Sequence, residues 1–426
     1  MKKSLFKIIL LCSVVFFVFL MVCFSFPDLF ALFYVPNWLT EGNVYSLVRV
    51  HKPDCLWLDA TYPPLYYLTT GMYLKIIQFL GMLSSGIFSH NICPVMEILT
   101  NKQFLFWAKL PYLLFHFASA FVFSRFFGVK RKYWFLLWLL NPIVIFVSFI
   151  QGQFEIIPSF FLLLSLYFAK KENIYLSALF LGVGGAYKNF PFLLLIPFLI
   201  ILCRRTYQKL LFIIISMLPY LLSIQLFLNK DFLSALTFSE NLKMLDLGIW
   251  IGSEKISIYI ILYLVLIVFL IKEKKYNFEI LIKYGFLFYL IYFLTTFWFP
   301  QRLLFLIPFL LLVIARKGNI SRFLPLLYNL FFAYTLFLFP GLFDHSLLRP
   351  IFPEIVEVDY SFLQLSIIKK IIFSAITGLL ILFGYFMLRK DEDRVDITKR
   401  NIVSGLAGLA NYLLIVVLLA LFSHTF

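Results

Sequence analysis

Apolar residues run along this chain in blocks of roughly 20, separated by short polar breaks, which is the length an α-helix needs to cross about 30 Å of hydrocarbon. The blocks fall at 5–26, 64–83, 103–127, 133–150, 155–169, 174–187, 190–203, 210–228, 256–271, 280–298, 302–315, 322–340, 368–388 and 402–422. They lack the alternation of about ten residues per strand that marks an outer-membrane barrel. The pattern predicts an all-α fold, a polytopic transmembrane helical bundle of about 13 spans with the C-terminus outside. Parity leaves one early choice open. With Lys2 and Lys3 on the same side as Lys130-Arg131-Lys132, either 64–83 is re-entrant or 84–102 holds a return.

Composition agrees with the pattern, because 62% of the 426 residues are hydrophobic and 14% charged, against about half and a quarter in soluble domains. The net charge of +16 is distributed over alternate loops, at 130–132, 170–171, 204–205, 272–275, 316–317 and 389–400. That alternation is an orientation signal and excludes a nucleic-acid-binding face. The basic, apolar start lacks a small-residue cleavage site and is expected to be a retained anchor. Of the five cysteines, three sit within apolar runs as small hydrophobes, and Cys55 and Cys93 share the outer side, where one possible pair is weak evidence for a disulfide.

Between the blocks, the longer outer segments are 27–62, 229–255 and 341–367. The first opens on Pro27-Asp28, is expected to form a short amphipathic helix on the membrane surface as far as Gly42-Asn43, carries Trp38, Trp57 and Asp59, and closes on Thr61-Tyr62-Pro63-Pro64. Asp28 suits a general base at the lip of a span, or alternatively a helix N-cap. The turn Gln151-Gly152-Gln153-Phe154-Glu155 places two amides and a carboxylate between apolar helices, for sugar hydroxyls or a cation, or as a hydrated hairpin tip. Lys188, in Tyr187-Lys188-Asn189-Phe190-Pro191, suits a phosphate leaving group or a snorkelling anchor, and Gln301-Arg302 supplies a second outer cation. His345, beside Asp344 in the 341–367 loop, completes the candidate substrate contacts, with Asp59, Tyr62, Gln153, Glu155, Lys188, Gln301 and Arg302. No P-loop, dinucleotide fingerprint, zinc motif or nucleophile elbow is present.

In order and sidedness, Asp28 to Tyr45, Tyr62-Pro63-Pro64-Leu65, Asn141-Pro142 through Glu155, Lys188-Asn189-Phe190-Pro191 and Pro300-Gln301-Arg302 resemble the GT-C superfamily of membrane glycosyltransferases. Within it, the resemblance is to mannosyltransferases of GPI-anchor and bacterial mannolipid synthesis. It implies inverting transfer from a polyprenyl-phosphate sugar to a lipid or glycan acceptor, with Asp28 as base, residues 1–315 as the catalytic region and 316–426 as C-terminal helices. Leu29 and Phe30 stand where such families often place a second acid, which leaves a divalent cation an open option and the metal site unknown. A bacterial or archaeal plasma membrane is expected over the endoplasmic reticulum. A lipid-linked-glycan flippase or other polytopic transporter is the rival reading, and would be expected to carry its charges at the bilayer midplane in related halves. Oligomeric state is not addressed by any of these features.

Overall fold

The computed structural model describes residues 3–40, 62–84, 100–128, 130–225, 247–273, 276–295, 299–316, 323–338, 347, 350–351, 366–388 and 407–411. The chain starts with α1 (Lys3–Cys23), whose Leu5, Ile8, Leu11, Val15 and Phe19 form an exposed stripe at helical spacing while Phe17, Leu20 and Met21 are buried. Pro27 then opens α2 (Pro27–Thr40), its missing N–H falling where a helix has no partner for one. Next come α3 (Pro64–Phe79), α4 (Lys102–Ser124) and α5 (Arg131–Leu139).

Asn141 caps the following helix, α6 (Pro142–Ile145), by accepting from the Ile143 and Val144 N–H groups at 3.1 and 3.3 Å, and the helix widens into a π turn over Phe146–Ile150. Because Ile143 turns its N–H to that cap, the Leu139 carbonyl loses its helical donor, and buried His116 Nε2 donates to it at 2.9 Å. After the 151–155 turn, α7 (Ile156–Lys170) and α8 (Ile174–Tyr187) form an antiparallel pair joined by reciprocal Ser165 and Ser177 bonds at 2.7 and 3.0 Å. A 3₁₀ turn (Phe190–Leu194) leads into α9 (Leu195–Leu202), followed by α10 (Thr206–Ile224). Gly182 lets α8 and α10 cross closely, since a Cβ there would lie 2.1 Å from the Ser216 carbonyl oxygen. The remaining helices are α11 (Ile258–Ile271), α12 (Phe278–Thr295), α13 (Ile307–Arg316), α14 (Leu324–Leu338) and α15 (Ser366–Leu388), with a 3₁₀ turn, Pro300–Phe305, before α13.

Four prolines are accommodated in the same way. In a helix proline removes the donor for the carbonyl four residues earlier, and in lipid no water replaces it. At four prolines a side chain from another helix does so. Tyr66 donates to Leu32 O (before Pro36) at 2.5 Å, Tyr73 to Trp107 O (before Pro111) at 2.6 Å, Tyr263 to Leu193 O (before Pro197) at 2.7 Å, and Ser159 to Leu304 O (before Pro308) at 3.3 Å.

Among the described residues, α1, α4, α10 and α12 are long and apolar enough to cross a membrane, and α5 with 142–150, bent by 44°, makes a fifth if the pair is one span. The chain is an integral membrane protein. Among the described residues the expected tally of about 13 crossings is not shown, because several of the apolar blocks form helices of fewer than 18 residues. A 14-residue helix such as α8 is about 21 Å long, short of the hydrocarbon thickness.

Two expectations are corrected. The helix after the first span is not an amphipathic surface helix: Leu29, Phe30, Leu32, Phe33, Tyr34 and Val35 are all buried, because α3 packs along it and its faces are apolar all round. The fold is also not wholly helical. Strands β1 (Gly248–Ile251) and β2 (Glu254–Ser257) pair antiparallel around Gly252, whose φ of +66° suits the tight turn.

Candidate active site

The π turn and the loop after it build the centre of the site. The Gln151 N–H reaches back to Phe146 O at 2.8 Å and the Gln153 N–H to Val147 O at 2.9 Å, so the chain leaves α6 in a wide coil. Gly152 has φ +69°, and a Cβ on it would meet Lys109 Cε at 3.0 Å and Leu29 Cδ1 at 3.3 Å. This geometry aims the Gln153 amide at the start of α2, where its Nε2 donates to Asp28 Oδ2 at 3.1 Å. Asp28 is the second residue of α2 and is not its N-cap.

Glu155 is fully buried and forms an ion pair with Lys188, which adopts an extended conformation (φ −158°, ψ 132°) where α8 ends. Both the hydrated hairpin tip and the snorkelling anchor are thereby excluded. The Lys188 ammonium lies 5.1 Å from the Tyr62 ring centroid, 5.2 Å from Phe154 and 5.8 Å from Phe190, an aromatic cage that compensates part of its desolvation. Arg302, on the Pro300–Phe305 turn, donates to Tyr292 Oη at 2.8 Å and stacks 4.8 Å from Phe299. Gln301 Oε1 accepts from Gln151 Nε2 at 3.3 Å. Tyr62 packs edge-on to Phe154, and its N–H donates to Tyr67 Oη at 3.0 Å.

Seven of the nine sequence-derived candidates, Asp28, Tyr62, Gln153, Glu155, Lys188, Gln301 and Arg302, are thus linked through one contact network drawn from five chain segments. Asp59 and His345, with Trp57 and Asp344, lie outside the described residues.

The electrostatics separate the two carboxylates. Asp28 keeps an opening to solvent while protein surrounds most of it, and the resulting desolvation raises its pKa to about 6; Gln153 and Lys188 pull the other way, and Glu155 adds to the rise. Desolvation also lowers the Lys188 pKa, opposed by Glu155 and reinforced by Arg302. Three acceptor oxygens of the turn, Gln151 Oε1, Gln153 Oε1 and Glu155 Oε2, are buried without a donor among the described residues. Such a set calls for a ligand bearing hydroxyls or an ammonium. Among the described residues no three His, Cys, Asp or Glu side chains gather, and the Glu155 charge is taken by Lys188, so a divalent cation is not well provided for.

Several contributors escaped the sequence reading. Lys109 is wholly buried and donates to Met21 O, Phe24 O and Phe149 O, and Tyr292 orients Arg302. A lysine in the middle of an apolar run was the available signal for the first.

Comparison with known proteins gives partial likenesses. Residues 118–250, which include Glu155 and Lys188 but neither Asp28 nor Arg302, match the family of the GPI transamidase subunit PIG-U. Over 73 residues the chain is 34% identical to GPI mannosyltransferase 1 of Kluyveromyces lactis, a stretch covering 17% of this chain and 18% of that one. The chain therefore spans less than a fifth of the curated relative it matches. No solved structure matches it. Neither likeness supports the expected bacterial or archaeal membrane, or a bacterial mannolipid enzyme.

Proposed function

We propose that this chain is a GT-C-type membrane glycosyltransferase that moves a hexosyl residue, mannosyl in the first instance, from a polyprenyl-phosphate donor to a lipid-linked or glycan acceptor. The observation that carries this reading is an accessible Asp28, oriented by Gln153 and near Lys188, with the Arg302 cation acting in turn on Lys188. Asp28 takes the proton of the acceptor hydroxyl as that oxygen attacks the anomeric carbon. The bond from this carbon to the phosphate oxygen breaks on the opposite face, the configuration inverts, and polyprenyl phosphate leaves with the bonding electron pair. Lys188 and Arg302 stabilise the charge that develops on it. The unpartnered oxygens of Gln151, Gln153 and Glu155 accept from sugar hydroxyls, with the Tyr62 and Phe154 rings alongside. No step passes through a metal ion. The GPI names of both partial relatives favour a lumen-facing site in the endoplasmic reticulum over a plasma membrane.

A second reading has its own support in the match of 118–250 to a transamidase subunit: a non-catalytic component of a membrane complex, its charge cluster serving stability or ligand capture. One experiment separates the two. Purified protein in detergent is incubated with a panel of radiolabelled polyprenyl-phosphate sugars and membrane lipids, alongside Asp28→Asn. Transfer by wild type, reduced by roughly two to four decades in Asp28→Asn at unchanged donor binding, is expected for a general base. Absence of transfer from every donor, or full activity in Asp28→Asn, overturns the assignment.

A further inference from the structure

Lys109 sits in the middle of α4 with no exposed surface. An ammonium has three N–H donors, and each has an acceptor here: Met21 O at 3.2 Å, Phe24 O at 2.5 Å and Phe149 O at 2.8 Å. The acceptors are not scattered. Met21 and Phe24 are the last carbonyls of α1 and its exit, and Phe149 belongs to the π turn, so one cation is held where two helical segments present their partially negative ends. Both segments lead directly into the site. Asp28 follows Phe24 by four residues, and Gln153 follows Phe149 by four. Gly152, one residue before Gln153, is closely approached by the Lys109 side chain, whose Cε lies 3.0 Å from where a Cβ would be.

We propose that Lys109 is a positioning residue, fixing the α1 exit and the π turn relative to each other so that Asp28 and Gln153 meet. It acts through the backbone and touches neither side chain's reacting atoms. Charge alone does not suffice for this, since an arginine would bring five donors in a rigid plane to three carbonyls converging on a point. Its catalytic consequence rests on the proposed glycosyl transfer; the geometric claim does not.

The test titrates Asp28 by infrared spectroscopy in lipid nanodiscs, its carboxylic acid band assigned by the loss of that band in Asp28→Asn. Wild type should titrate near about 6. Gln153→Leu removes a hydrogen bond to the ionised form and should move the midpoint up, with Glu155 and Lys188 facing Asp28 as before. Lys109→Met should move it up likewise, and Lys109→Met/Gln153→Leu no further than Gln153→Leu alone. A lysine that merely braced α4 against α1 would lower thermal stability in Lys109→Met and leave the midpoint at its wild-type value, or shift it additively with Gln153→Leu; either result overturns the proposal. If Lys109→Met does not fold, Lys109→Arg keeps the charge but not three donors converging on those carbonyls and should raise the midpoint too; an unchanged midpoint there is equally decisive. In the transfer assay, Lys109→Met should lose turnover on the order of 100-fold at unchanged donor KM, the scale of a misplacement of about 1 Å. Failure of the transfer assay in wild type removes only this last arm.

Discussion

At the scale of single residues, the site turns on one carboxylate held ready and another held captive. With the Asp28 pKa raised to about 6, the proposed transfer should show an acid limb with that midpoint, rising as pH increases, and measurement of kcat/KM across pH checks it. The sign for stability is opposite. A folded pKa raised above the unfolded value means stability is lost as pH rises from the ordinary carboxylate range through about 6, so Asp28→Asn should melt no lower than wild type at neutral pH. Glu155 and Lys188 behave as a unit. Glu155→Gln strands a buried ammonium and should cost about 3–5 kcal/mol, whereas Glu155→Gln/Lys188→Met should recover part of that loss, as read by thermal melts of the single and double variants. Asp28, Glu155 and Lys188 were legible in the sequence because each interrupts apolar surroundings. That Lys188 pairs with Glu155 was not legible, since the two residues are 33 apart and only the packing of α7 against α8 makes them neighbours.

At the scale of helices, the breaks carry more information than the helices themselves. The apolar blocks located α8 at its residue bounds and placed the kink at Asn141-Pro142, because hydrophobic length and proline are local properties. Burial of α2 and the pairing of β1 with β2 were hidden. The first depends on α3 covering a helix that has no polar face, and the second on a turn inside a segment with no strand alternation. The tie between Tyr73 and Trp107 O tests the role of the prolines. Tyr73→Phe should destabilise by about 1–3 kcal/mol by leaving the carbonyl bare. Pro111→Ala returns a backbone donor to that carbonyl, and Tyr73→Phe should cost less in that background, measured by tryptophan-fluorescence melts in detergent.

At the scale of the whole molecule, those ties impose a timetable on synthesis. A helix whose carbonyl awaits a hydroxyl from a later helix enters the bilayer incomplete, with a polar group that lipid cannot solvate. The wait is short for Leu32, whose partner Tyr66 follows 34 residues on, and long for Leu193, whose partner Tyr263 is 70 residues on. During that interval the segment around Leu193 should linger at the edge of the insertion machinery, in contact with water. Ribosome-bound chains halted before Tyr263 should therefore let a polar thiol reagent reach a cysteine at Leu193, and chains long enough to have inserted α11 should protect it. Equal protection at both lengths would mean that water, or another donor, serves that carbonyl until the tyrosine arrives.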